Sequence, residues 1–207
     1  VKQDPGQHDR PEQNLERPEL TFSPEVADWV REHYAAARVI LEYGSGGSTV
    51  LASEMPGKTI FSVENDRRWL RAMQAYLDQA GTQSPVHLHL AGVGKTRKWG
   101  HPVDHSRFRR YHLYPLGIWD HPDFIHPDLV LIDGRFREAC FYAVMLRCTK
   151  NTVVLFDDYV NRPKYHRVET FIEPVETRGR MAKFELRKKA LPREGLTQIV
   201  GAFSNAF

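Results

Sequence analysis

Cysteine is nearly absent from this chain: Cys140 and Cys148 are the only two in 207 residues. Both fall in a segment, Phe136 to Cys148, whose apolar spacing predicts a helix. Eight residues at ~1.5 Å rise put them roughly 12 Å apart, beyond disulfide reach. A disulfide-stapled scaffold is therefore excluded. Two free thiols acting as small core hydrophobes fit a reducing cytoplasm. Long apolar runs are lacking too. No stretch approaches the ~18 residues of a membrane helix, and no signal-peptide apolar segment occurs, so no membrane partner is expected. The chain opens on Val rather than Met, which leaves open what precedes it. Charge of one sign is scarce: 29 Lys and Arg face 26 Asp and Glu, a net +3. That permits an anionic ligand without requiring nucleic acid. Cysteine also fails to join the histidines in any zinc-ligand spacing, although His87 and His89 share one face of a strand.

What is present is a core-forming composition, 41% hydrophobic, of a length that suits one α/β domain with embellishments. Residues 1 to about 20 are polar and charged and read as a flexible tail, or as an arm that packs on a neighbouring copy in a homo-oligomer. Ser23-Pro24-Glu25 opens a helix to about Ala37. Strands and helices then alternate: strands at 38–43, 59–64, 86–90, 129–133 and 152–156, and helices at 47–55, 67–80, 136–148 and near 165–172. Two antiparallel strands are expected near 181–188 and 196–203. Such alternation specifies a parallel sheet with helices on both faces. Gly92 to Pro127 is too long for an ordinary strand–helix connection and holds six Trp, Phe and Tyr residues and five of the ten histidines. It reads as a lid or substrate-binding insertion.

The stretch Val39-Ile40-Leu41-Glu42-Tyr43-Gly44-Ser45-Gly46-Gly47-Ser48-Thr49 is an apolar strand, an acid, a glycine-rich turn and a helix start. Glycines remove the Cβ atoms that would keep a ligand from the backbone, and the helix start offers unpaired N–H groups. Such a turn belongs to a nucleotide or nucleoside cofactor. The dinucleotide fingerprint wants a third glycine at position 49, where Thr49 stands, which counts against a nicotinamide enzyme. Gly94-Lys95-Thr96 matches a phosphate-binding loop only in part, because His89 replaces its first glycine.

Carboxylates close the later strands. Glu64 ends the second, where it can accept hydrogen bonds from both ribose hydroxyls of an adenosine or act as an acid at the start of the next helix. Asp133 ends the fourth and Asp157-Asp158 the fifth. Three carboxylates on one edge repel unless something compensates. Either they bind Mg²⁺ or Ca²⁺, or one caps a helix and another pairs with Arg135 or Arg162.

Taken in series, Leu41 to Thr49, Phe61-Ser62-Val63-Glu64-Asn65-Asp66, Leu131-Ile132-Asp133-Gly134-Arg135 and Leu155-Phe156-Asp157-Asp158-Tyr159 resemble successive motifs of the class I S-adenosylmethionine-dependent methyltransferases, over about residues 24 to 203. The resemblance implies a doubly wound, Rossmann-like fold with a mostly parallel seven-stranded sheet and an antiparallel last strand. It implies S-adenosylmethionine as cofactor, cradled by Glu42, Tyr43, Gly44, Ser45, Gly46, Ser48 and Thr49, with Glu64 and Asn65 at the ribose and Gly92 by the adenine. Ser48 stands where many members have a glycine. Asp133, Asp157 and Asp158 are the implied catalytic set and, where a metal is used, its ligands. Relatives of that kind usually show Asp-Asn at the fifth strand, where this chain has Asp-Asp. No Asn/Asp-Pro-Pro-aromatic motif is present, so methylation of DNA-base amino groups is disfavoured. The acceptor expected is a small-molecule hydroxyl, with a nucleic acid the wider possibility. The competing reading is a methyltransferase-like module that binds or docks without catalysis.

Overall fold

A computed structural model describes residues 16–187 and 194–206. Most of the tail expected over residues 1 to 20, and the far end of the strand expected to reach Lys188, lie outside those residues. The elements run β1 (Val39–Tyr43), β2 (Thr59–Glu64), β3 (Val86–Leu90), a two-stranded ribbon β4 (Thr96–Arg97) and β5 (His101–Pro102), then β6 (Leu129–Ile132), β7 (Thr152–Phe156), β8 (Glu176–Arg178) and β9 (Met181–Leu186). The helices are α1 (Pro24–Ala36), α2 (Gly47–Ser53), α3 (Arg67–Ala80), α4 (Leu113–Leu116), α5 (Arg137–Arg147) and α6 (Leu196–Ala202). None of the described helices is long and apolar enough to cross a membrane.

Seven strands form one sheet in the order β3-β2-β1-β6-β7-β9-β8. The first five are parallel; β9 is antiparallel to β7, and β8 to β9. Helices cover both faces, so the central strands are apolar without alternation, as in β6, where all four residues are buried. One face packs Tyr43, Phe141, Val144, Phe156 and Phe184. The other packs Trp29, Val30 and Tyr34 of α1 on Ile40, Leu131 and Leu155.

Register decides where the chemistry falls. Tyr43 pairs with Val63 and Ile132, Glu64 with Leu90, and Ile132 with Phe156. Gly44, Glu64, Leu90, Asp133 and Asp157 therefore share one row at the carboxyl edge. The strand order reverses between β1 and β6, and ligands of doubly wound sheets bind in the crevice over that reversal.

Two expectations fail in the C-terminal part. Leu196 to Phe203 is not a strand but the helix α6; Ile199 and Ala202 are buried three apart while Leu196 and Val200 face out. The edge of β9 is occupied by β8 instead. The helix expected near 165–172 is a 3₁₀ segment, Pro163–Thr170. At the other end, the part of the expected flexible tail that is described is packed: Arg17 forks onto Glu54 at 2.9–3.3 Å, and Leu20 joins the α1 core.

The long connection 92–127 divides in two. Tyr111, Tyr114, Ile118 and Trp119 are core residues, and the Tyr43 hydroxyl donates to Pro115 O (2.6 Å) while accepting from Trp119 Nε1 (2.7 Å). That half is no detachable lid. The earlier half, with Trp99 71% exposed, runs as a strap over the carboxyl edge.

Candidate cofactor and acceptor site

Glu42, read from the sequence as a cofactor contact, lies beneath the glycine turn. It is wholly buried, its Oε1 accepts from the Tyr34 hydroxyl at 2.5 Å, and its Oε2 accepts from Thr49 Oγ1. Burial raises its pKa, opposed by those hydrogen bonds. Thr49 Oγ1 also accepts from Gly46 N at 3.0 Å, so Glu42 and Thr49 together shape the turn. Thr49 thus has its own task at the position where a dinucleotide fingerprint would carry glycine. Ser48 is buried at the start of α2. Ser45 Oγ meets Ser62 Oγ at 2.7 Å, and Ser45 O accepts from Trp69 Nε1 at 2.7 Å. Trp69, near the start of α3, is partly exposed and leans on the turn.

The glycines have separate reasons. Gly44 has φ +106°, and a Cβ there would lie 2.8 Å from the Gly134 backbone. Its bareness lets the β1 and β6 end-loops touch, so the atom it makes room for is protein. A Cβ on Gly47 would meet Glu19 O at 2.3 Å, where the N-terminal segment crosses. Gly46 alone of the three faces clear space, with nothing within 4 Å of a Cβ.

At the end of β2, Glu64 Oε1 accepts from Asn65 N (2.6 Å) and Asp66 N (2.8 Å). Burial raises this carboxyl's pKa, and the backbone N–H groups of Asp66, Asn65 and Ser45 oppose the rise. Asn65 Nδ2 donates to Gly100 O at 2.7 Å, while Asn65 Oδ1 is buried with no hydrogen-bond partner among the described residues. The strap is pinned above: Thr96 Oγ1 donates to Asp66 Oδ2 (2.9 Å), and Arg135 Nη1 donates to His101 Nε2 (2.8 Å). At its bend Trp99 holds a left-handed φ of 65°. Gly92 follows the buried Ala91 at the end of β3, with the Arg110 guanidinium over it.

The three aspartates do converge, but arginines fill the cluster. Arg137 is buried; Nε donates to Gly134 O (2.9 Å), Nη1 to Asp157 O (2.6 Å), and Nη2 to Asp133 O (2.7 Å) and Asp133 Oδ1 (3.2 Å). Its Nη1 also lies 3.2 Å from Asp158 Oδ2 and 3.6 Å from Asp157 Oδ2. Arg180 Nε reaches Asp157 Oδ1 at 2.9 Å, and Arg162 pairs with Asp158 at 2.7 Å. Asp158 sits at φ +56°, a conformation Asp tolerates better than most residues. Asp133 keeps 28% of its side chain accessible, against 1% for Asp157. Its pKa is pushed up to about 8, first by desolvation, with Arg137 opposing and the charge and hydrogen bond of Asp157 adding to the rise. A proton held on Asp133 gives Asp157 Oδ2 the donor that it otherwise lacks among the described residues.

No protein-family model matches the chain, and neither does any curated protein. Among solved structures it superposes on a methyltransferase-like protein from Silicibacter pomeroyi with a TM-score of 0.87, at 43% identity over 91% of this chain and 98% of that one. The chain belongs to the class I S-adenosylmethionine-dependent methyltransferase superfamily. More distant structures share the fold. Cofactor-bound Rv0187 from MTB gives a TM-score of 0.57 at 17% identity over 84% of this chain and 85% of that one. An RNA methyltransferase from Salinibacter ruber, in complex with S-adenosyl-L-homocysteine, gives 0.53 at 14% identity over 84% and 98%.

Two groups that this superfamily uses can be tried against the residues. The nucleoside cofactor fits: Glu64 and the orphaned Asn65 Oδ1 are adjacent acceptors, and Gly46 is bare. A divalent cation does not fit. The positive charge among Asp133, Asp157 and Asp158 is already supplied by Arg137, Arg162 and Arg180, and no group of His, Cys, Asp and Glu among the described residues could hold a metal. The expectation that one aspartate pairs with Arg135 or Arg162 is met by Arg162 on Asp158, while Arg135 meets no carboxylate among the described residues. Sequence reasoning passed over Arg137 and Arg180. Arg137 was findable as the cation four residues after Asp133 at a helix start; Arg180 arrives through the β8–β9 turn, which no local pattern announces.

Proposed function

We propose that this chain binds S-adenosylmethionine along the β1–β2 edge and methylates the hydroxyl of a small molecule. The observation that carries the proposal is the acceptor pair at the end of β2. Vicinal ribose hydroxyls need two adjacent acceptors, and Asn65 Oδ1 is a buried one with nothing to accept from. Gly46 gives the cofactor's amino-acid portion access to backbone, and Glu42 and Thr49 hold the turn in that shape. When bound, the cofactor supplies an electrophilic methyl group on a sulfonium sulfur. The protein supplies alignment and a base. The ionised form of Asp133, open on one side and the minority form below about pH 8, accepts the hydroxyl proton, while Arg137 and Asp157 fix its orientation. No metal is needed for that step. The two unpaired buried thiols fit the reducing cytoplasm as its setting.

Titration calorimetry with S-adenosylhomocysteine, nicotinamide cofactors and ATP tests this. Only the first should bind, and Glu64→Ala should weaken it by about 1.5–3 kcal/mol, the scale of hydrogen bonds to a charged group. The non-catalytic reading is favoured by one feature, the Gly100 backbone seated against Glu64 and Asn65. Absence of nucleoside binding in a folded protein would decide for it.

A further inference from the structure

We propose that the acceptor carries an anionic group, a carboxylate or a phosphate, and that Arg135 holds it; this rests on the methyltransferase reading of the site. The argument is a contrast between two arginines on one turn. Arg137 meets three carboxylates and three backbone carbonyls. Arg135, two residues earlier, is largely removed from solvent yet forms no ion pair among the described residues. Its Nη1 donates to a ring nitrogen of His101, and its Nε is buried with no hydrogen-bond partner among the described residues. A buried cation without a counter-charge is costly, so this one is waiting for an anion or is a defect.

The surroundings fit the first. Burial lowers the pKa of the His101 ring first, and the positive charges of Arg135, Arg97, Lys164 and Arg162 lower it further. Arg162 is occupied by Asp158, which leaves Arg135, Arg97 and Lys164 without an ion pair among the described residues. The turn is also fixed in place, because Arg135 N donates to the Tyr114 hydroxyl at 3.3 Å. A guanidinium fork suits carboxylate or phosphate bidentately, with an ammonium such as Lys164 as a second contact. Arg135 and Lys164 follow β6 and β7, the side of the switch that carries Asp133, whereas the glycine turn and Glu64 follow β1 and β2. That geometry assigns the anion to the acceptor rather than to the cofactor's own carboxylate.

Inorganic phosphate is the probe, titrated calorimetrically into the full chain with and without saturating S-adenosylhomocysteine. The expected result is phosphate binding that the nucleoside does not displace. Arg135→Gln should weaken phosphate tenfold or more, Arg135→Lys less, and Lys164→Gln several-fold, with S-adenosylhomocysteine affinity unchanged within about twofold. If Arg135→Gln does not fold, the lysine variant and Lys164→Gln decide. Phosphate binding that is absent, or equal in all variants, overturns the proposal. So does competition between phosphate and nucleoside with loss of nucleoside affinity in Arg135→Gln, since the arginine would then serve the cofactor. If the nucleoside fails to bind while phosphate binding still depends on Arg135, the anion site stands and the methyltransferase reading falls.

Discussion

Replacing Arg137 with methionine should come close to unfolding this protein. The methionine fills much of the same volume, so the loss is chiefly electrostatic. Three backbone carbonyls, those of Asp133, Gly134 and Asp157, lose donors at 2.6–2.9 Å. The Asp157 carboxylate, 1% exposed, keeps only Arg180. Breaking a buried ion pair from one side costs about 3–5 kcal/mol, because the remaining charge stays buried. A domain of this size has about 5–15 kcal/mol in all. Urea unfolding followed by tryptophan fluorescence should show the midpoint falling at constant slope. Arg137→Lys should lose less, since the charge survives while the fork does not. Adding Asp157→Asn to Arg137→Met should cost less than the sum of the two single losses, by about 1–3 kcal/mol. Millimolar Mg²⁺ should leave the wild-type midpoint unmoved. A loss below about 1 kcal/mol in Arg137→Met, or strict additivity in the pair, would refute the claim that arginine is the cation of this cluster.

Gly134→Ala should be destabilising by several kcal/mol, because its Cβ would lie 2.1 Å from the Tyr114 hydroxyl and 2.9 Å from Gly44 N. Tyr114→Phe should recover part of that loss in thermal melts, and no recovery would mean the backbone contact dominates. Tyr43→Phe removes a hydroxyl that both donates to Pro115 and accepts from Trp119; it should cost about 1–3 kcal/mol by denaturant midpoint, since the indole N–H is left buried and unpaired. Asp133 titrates near 8 in the folded protein and near ~3.9 unfolded, so the native state holds a proton that the unfolded chain has lost between those values. Stability should therefore fall as pH rises from about 4 to 8 in the wild type relative to Asp133→Asn. That comparison cancels the histidines, several of which are lowered by burial and act in the opposite direction. A wild-type profile parallel to that of the variant would show Asp133 to be an ordinary ionised carboxylate.

The strand–helix alternation was legible because each element is specified locally. Continuous apolar runs mark strands covered on both faces, and β2, α3, β3 and β7 fall where periodicity puts them. The row Gly44, Glu64, Asp133 and Asp157 was legible too, since every parallel strand of such a sheet ends on the same edge. Local pattern could not decide α6 against a strand. Leu196 to Phe203 suits either, and in the packed chain Ile199 and Ala202 are buried at helical spacing while Leu196 and Val200 face out. Nor could it show what Gly44 makes room for: the turn reads as a ligand cradle, while the atoms that need its bareness belong to Gly134, ninety residues away. The same holds for the charges. Three aspartates in a sequence ask for a cation, but whether a metal or an arginine supplies it depends on side chains from the start of α5 and from the β8–β9 turn. Burial and counter-charge are properties of the packed chain. Sequence alone therefore named the carboxylates, and tertiary structure decided that Arg137 and Arg180 neutralise them while Arg135 is left without an ion-pair partner among the described residues.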